Sequence, residues 1–125
     1  DGKAKTDKVW LIDWDNLQNN EFVAVNQLVF TEGHHKRIPD VVLFVNGIPL
    51  VVIELKNASD ENADIQAAYN QLQTYKQQIP SLFIPNALLI ISDGWFAKVG
   101  GLSSPYSRFM EWKTADGISL VDPKT

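Results

Sequence analysis

The most regular hydrophobic pattern in this 125-residue chain is a pair of apolar segments separated by a short turn. The segments cover residues 41–45 and 50–55, with Asn46-Gly47 between them. Asn-Gly flanked by apolar residues is typical of a β-hairpin, so we predict a hairpin over residues 40–55. A further continuous apolar segment at residues 87–92 predicts another buried strand.

A helical pattern lies between these strands. Apolar residues recur at spacings of three and four over residues 61–79, and Ser59 or Asp60 is the predicted N-cap. Strand 50–55, the helix and strand 87–92 form a strand–helix–strand unit, whose two strands are predicted to be parallel with a right-handed crossover. The predicted fold class is therefore α/β, a mixed β-sheet with a flanking helix.

The remaining segments show weaker patterns. They predict short strands over residues 9–12, 22–30, 95–99 and 108–114. Polar residues at 13–20 and 31–36 predict a loop and a turn. The aromatic side chains of Trp95, Phe96 and Trp112 are predicted to cover the sheet rather than to stack on nucleobases.

Composition narrows the class of protein. With 45% hydrophobic and 21% charged residues, the chain is expected to form one domain, residues 1–125, with its own core. Because it starts at Asp1 rather than Met, we expect it to be part of a larger subunit. The absence of cysteine excludes thiolate metal sites and fits a reducing cytoplasm. No apolar run is long enough to predict a membrane span.

Charge and motifs exclude two further classes. The net charge of −4 and pI of about 5.0 oppose a stand-alone DNA-binding protein, which needs clustered Lys and Arg to neutralise phosphates. The chain contains no glycine-rich phosphate-binding loop, so ATP binding is not expected within it.

The candidate chemistry lies at the end of the second hairpin strand. Side chains alternate along a strand, so Glu54 and Lys56 share a face. A carboxylate on a buried strand is costly unless a cation or hydrogen bonds meet it, and Asp40 opens the partner strand. Two carboxylates and the Leu55 backbone carbonyl are suitable ligands for Mg²⁺. Lys56 would then orient the attacking water or stabilise developing negative charge during phosphodiester hydrolysis.

The spacing of Asp40, Glu54 and Lys56 alone would also fit a solvated strand end with no catalytic role. The apolar character of both strands and the helix that follows favour a catalytic site. Register provides a test. A two-residue turn pairs Val45 with Ile48 and Asp40 with Ile53, which would put Asp40 and Glu54 on opposite faces. A shared site therefore requires either a connection with an odd number of residues or a bulge near Asp40.

Two other groups are candidates. A short basic run precedes the hairpin, consisting of His34, His35, Lys36 and Arg37. It is interpreted as a solvated turn or as a contact to DNA phosphates. Gln71 and Tyr75 lie four residues apart on the predicted helix, at the flank of its apolar stripe, where Tyr75 would keep its hydroxyl in water. Judged from the sequence pattern alone, Gln71 and Tyr75 have a structural role and no catalytic one.

These residues carry a resemblance to a known family. Pro39-Asp40 followed by Glu54-Leu55-Lys56 resembles the active-site motif of the PD-(D/E)xK nuclease superfamily. The run of residues 37–56 resembles, more narrowly, the N-terminal nuclease domain of type I restriction enzyme R subunits (the HsdR family). Gln71 to Tyr75 matches the Gln-x-x-x-Tyr element of that family, and the likeness extends over residues 9–117.

The resemblance implies a restriction-endonuclease-like mixed sheet and Mg²⁺-dependent endonucleolytic cleavage of double-stranded DNA. It implies metal binding by Asp40 and Glu54, a catalytic role for Lys56, and a DNA- or site-organising role for Gln71 and Tyr75. In this family the domain is joined to an ATP-driven motor, which lies outside this chain, and works with modification and specificity subunits. Family members usually also have an N-terminal helical region, so the isolated chain is expected to be weakly active or inactive.

Two alternatives stay open. One is a stand-alone or repair nuclease of the same superfamily, which the short chain favours and the family-like flanking segments oppose. The other is a non-catalytic DNA-binding or coupling module that retains the fold. The complete set of Asp40, Glu54 and Lys56 argues against that loss of chemistry, and the acidic pI argues against a dedicated DNA-binding role.

Overall fold

The computed structural model describes residues 2–57, 59 and 64–119. Over these ranges the chain forms a six-stranded mixed sheet and a separate two-stranded ribbon. The sheet has the strand order β1-β4-β5-β6-β7-β8, and the ribbon pairs β2 with β3. The strands are β1 (Phe22–Asn26), β2 (Phe30–Glu32), β3 (His35–Arg37), β4 (Val41–Val45), β5 (Ile48–Leu55), β6 (Leu88–Ser92), β7 (Ala97–Gly100) and β8 (Met110–Glu111).

The β4–β5 hairpin contains a β-bulge, which is one of the two predicted kinds of solution to the register conflict but is not at the predicted position. Val45 pairs with Ile48 across the two-residue turn, but the register shifts between Leu43 and Phe44. Phe44 pairs with Pro49 while Leu43 pairs with Val51, so that residue 50 is extra. Proline has no N–H to donate to the ladder, which makes this position a natural place for a bulge. The bulge lies inside the hairpin rather than beside Asp40. In the part of β5 beyond the bulge, each side chain points to the face opposite to the one it would have without the extra residue.

One α-helix, α1 (Ile65–Gln78), crosses from β5 to β6. β5 and β6 are parallel, as predicted for the strand–helix–strand unit. The predicted start of the helix is wrong, because Asp64 is the N-cap: its backbone is extended and its carboxylate accepts the Gln66 N–H. Of the two predicted caps, Ser59 lies in a turn and Asp60 lies outside the described residues.

The core lies between α1 and one face of the sheet. The sheet contributes buried side chains from three neighbouring strands, and α1 contributes Ala68, Leu72 and Tyr75. The other members of this cluster are Val42, Val52, Ile79, Leu82, Phe83, Leu89, Ile91 and Phe109. Within the described ranges, no helix is long and apolar enough to cross a membrane.

Several weaker predictions differ from the structure. Residues 9–12 form no strand, and Val9, Trp10 and Leu11 are exposed. The predicted strand 22–30 is interrupted at Gln27, which has a positive φ of 55° and donates its N–H to the Asp40 carbonyl at 3.0 Å. The predicted turn over 31–36 is confirmed only at residues 33–34, which close a two-stranded ribbon. Glu32 of this ribbon accepts the Ser81 N–H and hydroxyl at 2.9 and 2.6 Å.

Candidate active site

Asp40 and Glu54 lie side by side on the face of the sheet that α1 covers. Val41 pairs with Ile53 and Val42 with Val52. Continuing this register by one residue places Asp40 across from Glu54. Cross-strand partners point to the same face, and Val42 and Val52 are both fully buried under the helix. The bulge therefore brings the two carboxylates to one side of the sheet.

The backbone of β5 fixes the orientation of Asp40. The Leu55 N–H donates a hydrogen bond to Asp40 Oδ2 at 2.8 Å. This contact crosses from the start of β4 to the end of β5, so the position of the Asp40 carboxylate depends on the strand pairing. Sequence reasoning missed this donor, although the register that the bulge imposes places Asp40 next to the end of β5.

Glu54 is the one charged residue among the buried side chains of the described chain, with 4% of its surface exposed. Its Oε2 atom is buried and accepts no hydrogen bond from the described residues. Oε1 lies 3.6 Å from the Lys56 Nζ. Burial, followed by the charge of Asp40, raises the pKa of Glu54 to about 7, while Lys56 and the Tyr75 hydroxyl act in the opposite direction.

A divalent cation fits this arrangement of oxygen atoms. A buried carboxylate oxygen without a hydrogen-bond donor is costly, and a cation beside it would relieve that cost. The described residues contain no group of three or more His, Asp or Glu side chains able to hold a metal. Two carboxylates are nevertheless sufficient for Mg²⁺, which keeps several waters and also binds substrate phosphate. Asp40, Glu54 and the Leu55 carbonyl are the candidate ligands.

Tyr75 is closer to the site than the sequence indicates. It is 5% exposed and belongs to the core cluster, so its ring lies deeper than the flank position predicted from the sequence. Burial and then the charge of Glu54 raise the pKa of Tyr75, and the Gln71 side chain lowers it. The hydroxyl thus stays protonated and can donate toward the Glu54 carboxylate. Gln71 and Glu54 both influence the pKa of this hydroxyl, so α1 lies close enough to act on the site through Tyr75.

The basic run begins in the turn of the ribbon, at His34, and continues along β3. His34, His35 and Lys36 are exposed, whereas Arg37 is half-buried. The Arg37 Nε donates to Gln78 Oε1 in the last turn of α1. Arg37 therefore holds the ribbon against the helix, which leaves the other three side chains as the exposed basic groups of this segment.

The three aromatic residues predicted to cover the sheet do not do so. Trp95 and Phe96 are 57% and 60% exposed, and Trp112 is 43% exposed. Trp95 and Phe96 lie on the turn between β6 and β7, and the Trp112 N–H donates to the Ala97 carbonyl at 2.9 Å. Sequence pattern alone does not show which side chains of a turn meet solvent.

A cavity of about 730 Å³ lies elsewhere, at the closed end of the β4–β5 hairpin. Trp10, Trp14, Asn46 and residues of the 11–20 loop line it. Asp40 and Glu54 occupy the open end of the same hairpin, so the cavity and the carboxylate pair are separated by the length of the strands. The chemistry of the carboxylates, rather than the size of a cavity, identifies the candidate active site.

Comparison with known proteins gives a consistent set of relatives. The family model for the type I restriction enzyme R protein N terminus matches residues 1–108. The HindI endonuclease subunit of Haemophilus influenzae is 51% identical over 92% of this chain and 11% of its own length. The EcoprrI endonuclease subunit of Escherichia coli is 31% identical over 99% of the chain and 41% of its own length. The SauCOLORF180P endonuclease subunit of Staphylococcus aureus is 38% identical over 66% of the chain and 9% of its own length.

Proposed function

The chain belongs to the family of type I restriction enzyme R protein N termini, and from this premise we propose that it hydrolyses phosphodiester bonds of double-stranded DNA with the help of Mg²⁺. The observation that carries the proposal is the buried Oε2 of Glu54, which has no hydrogen-bond partner among the described residues and lies on the same face as Asp40. A structural ion pair would satisfy both oxygens of a buried carboxylate, whereas a metal site needs one of them available.

Each residue of the site has a proposed role. Asp40, oriented by the Leu55 N–H, and Glu54 hold the metal together with the Leu55 carbonyl. Bound Mg²⁺ supplies a water of lowered pKa and neutralises charge on the phosphate. Lys56, whose side chain is 30% exposed, can reach from Glu54 toward the substrate and stabilise the attacking water or the developing oxyanion.

Residues of α1 and of the basic run are proposed to support the catalytic residues. The Tyr75 hydroxyl, positioned by Gln71, favours the ionised form of Glu54 and so prepares it for a cation. The exposed His34, His35 and Lys36 are proposed to contact DNA phosphates beside the site. Their number is small, so they serve to position the duplex rather than to hold it.

The rest of the enzyme supplies the remaining functions. The chain spans about a tenth of the length of the HindI and SauCOLORF180P subunits. We place DNA tracking, ATP use and the contacts to modification and specificity subunits in the parts of the protein beyond this chain, with the cytoplasm as the compartment.

The test is cleavage of supercoiled plasmid by the assembled enzyme in the presence of Mg²⁺ and ATP. Glu54→Ala and Lys56→Ala are expected to lower the cleavage rate at least a hundredfold, because removing one electrostatic contact to a transition state costs about 10²–10³ in rate. ATP hydrolysis and translocation should keep their wild-type rates, since the motor lies outside the site.

Glu21→Ala and Lys8→Ala are matched controls, because both side chains are exposed and lie away from the carboxylate pair. They should cleave as the wild type does. Cleavage by Glu54→Ala at the wild-type rate would remove the catalytic proposal and favour the non-catalytic module, in which the fold only couples DNA to other domains.

A further inference from the structure

Two neighbouring aromatic side chains are exposed on a rigid turn between β6 and β7. Asp93 Oδ1 accepts the N–H groups of Trp95 and Phe96 at 2.9 and 2.8 Å. Gly94 has a φ of +90° and donates its N–H to Ser92 Oγ at 3.1 Å. The backbone of the turn is thus fixed before any partner arrives, which lowers the entropic cost of using it as a contact.

The turn lies at the same edge of the sheet as the proposed active site. Leu55 pairs with Ser92, and the Lys56 N–H donates to the Ser92 carbonyl at 2.8 Å. Adjacent strands are about 4.8 Å apart, and three residues extend at most about 11 Å. Trp95 therefore lies within about 16 Å of Leu55, which corresponds to roughly four or five base pairs of B-DNA at 3.4 Å each.

Charge favours an aromatic contact over an ionic one. The chain has a net charge of −4, so it cannot hold a duplex by phosphate neutralisation alone. An aromatic side chain can instead enter a duplex as a wedge between two base pairs, which costs a few kcal/mol of unstacking. Its stacking contact with a base contributes about 1–3 kcal/mol and does not depend on net charge. The Asp93 carboxylate accepts backbone N–H groups of its own turn, which offsets the repulsion it would exert on nearby phosphates.

We propose that Trp95 and Phe96 enter the duplex as a wedge beside the phosphodiester cleaved at Glu54 and Lys56 and contact the bases that flank it. This inference rests on the proposed nuclease function and adds a substrate-positioning contact to it. Trp112 extends the aromatic surface, since its backbone N–H donates to the Ala97 carbonyl and its side chain is partly exposed at the same edge. The other occupant to consider is a protein surface, either the rest of the polypeptide or another subunit.

Photo-crosslinking in the assembled enzyme separates these occupants. Trp95 is replaced by p-benzoylphenylalanine in an enzyme that also carries Glu54→Gln, so that plasmid DNA stays intact during irradiation. We expect a crosslink to DNA. The same replacement at Trp14, an exposed tryptophan at the closed end of the β4–β5 hairpin, should give a DNA crosslink at least tenfold weaker. A crosslink from position 95 only to polypeptide, or one to DNA no stronger than from position 14, overturns the proposal.

Cleavage assays give a second measurement. The double variant Trp95→Ala, Phe96→Ala in the otherwise wild-type enzyme should cleave about fivefold to a hundredfold more slowly, as expected for the loss of one stacked base. Trp95→Phe should recover most of the rate, and Trp14→Ala should have no effect. An equal loss of cleavage rate in Trp95→Phe and Trp95→Ala would contradict a stacking role. Failure of the nuclease proposal itself would appear separately, as cleavage by the Glu54→Gln enzyme, and would leave the crosslink result interpretable.

Discussion

Glu54 concentrates the electrostatic cost of this fold in one side chain. It is buried, lies next to the Asp40 carboxylate and, within the part of the chain that the structure describes, has one oxygen without a donor. An ionised group in this position destabilises the metal-free protein, because folding removes it from water and places it beside a like charge. The same features make it a strong ligand once a cation is present.

The pKa of Glu54 predicts how stability changes with pH. It is raised from 4.5 to about 7, so between these values the folded state binds more protons than the unfolded state. Stability of the metal-free chain should therefore fall as pH rises from 4.5 through 7, by on the order of 2–3 kcal/mol. Urea unfolding at pH 5 and pH 8 measures this change. The lowered pKa values of Asp13 and Asp116 affect stability only at more acidic pH.

Glu54→Gln should remove this fall and make the protein more stable than the wild type at pH 8 without metal. Added Mg²⁺ should then stabilise the wild type but not the variant. Glu21→Gln, at an exposed position, should follow the wild-type profile. A wild-type profile in Glu54→Gln would show that the pH dependence arises elsewhere.

Tyr75 predicts a second, smaller effect on the same carboxylate. Its hydroxyl lowers the pKa of Glu54, so Tyr75→Phe should raise that pKa above about 7 while the ring still fills the core. Carbon-detected NMR titration of the Glu54 carboxyl in metal-free protein measures the change. Tyr69→Phe on the same helix removes a hydroxyl that faces the Ser104 carbonyl and should leave the Glu54 titration unchanged.

At the level of elements, the predictable parts are those in which local pattern and tertiary environment agree. Strands β5 and β6 are apolar because they are central in the sheet, and α1 is amphipathic because one side packs on them, so periodicity identified all three. A two-residue turn would put Asp40 and Glu54 on opposite faces, and this conflict also predicted either an odd-numbered connection or a bulge. Its position depends on which residues of the hairpin pair, and sequence pattern alone does not determine that.

The parts that were missed depend on contacts that residue type and local pattern do not specify. Val9, Trp10 and Leu11 have the composition of a strand but pair with none of the described strands. Glu32 holds the ribbon through Ser81, 49 residues away. The helix starts at Asp64 because that carboxylate meets the Gln66 N–H, while Ser59 and Asp60 are equally good caps by residue type.

The contact between β7 and Phe109 predicts a matched pair of variants. A Cβ at Gly100 would lie 2.6 Å from the Phe109 ring, which is buried against the core. Gly100→Ala should therefore destabilise the protein by about 1–3 kcal/mol, as overpacking does. Gly101→Ala, whose Cβ would meet only Ser104 Oγ at 3.4 Å, should change stability much less. Urea unfolding of both variants measures the difference, and equal stabilities would show that Phe109 moves without cost.

On the scale of the whole molecule, the chain carries a candidate active site but little positive charge. A surface with net charge −4 repels the phosphate backbone at long range. The chain also covers only about a tenth of the length of the HindI subunit. Catalytic residues and DNA-holding surface are thus expected to lie in different parts of the enzyme.

This separation predicts weak DNA binding by the isolated chain. Its dissociation constant for a 30-base-pair duplex at 150 mM salt should exceed about 10⁻⁴ M, the weak end of non-specific binding. Fluorescence anisotropy of a labelled duplex measures it, with the complete subunit as the comparison at the same salt. Micromolar binding by the isolated chain would mean that His34, His35 and Lys36, or the aromatic turn, contribute far more than their charge indicates.

The extra residue in the β4–β5 hairpin has a consequence for how this chain can change over time or in the laboratory. Because side chains alternate, adding or removing one amino acid between Asp40 and Glu54 would send one acid to the far side, whereas changes in steps of two would keep them together. The hairpin should therefore tolerate insertions of an even number of residues better than insertions of an odd number, whatever their length. A single-residue deletion there would be more damaging than the loss of a two-residue pair.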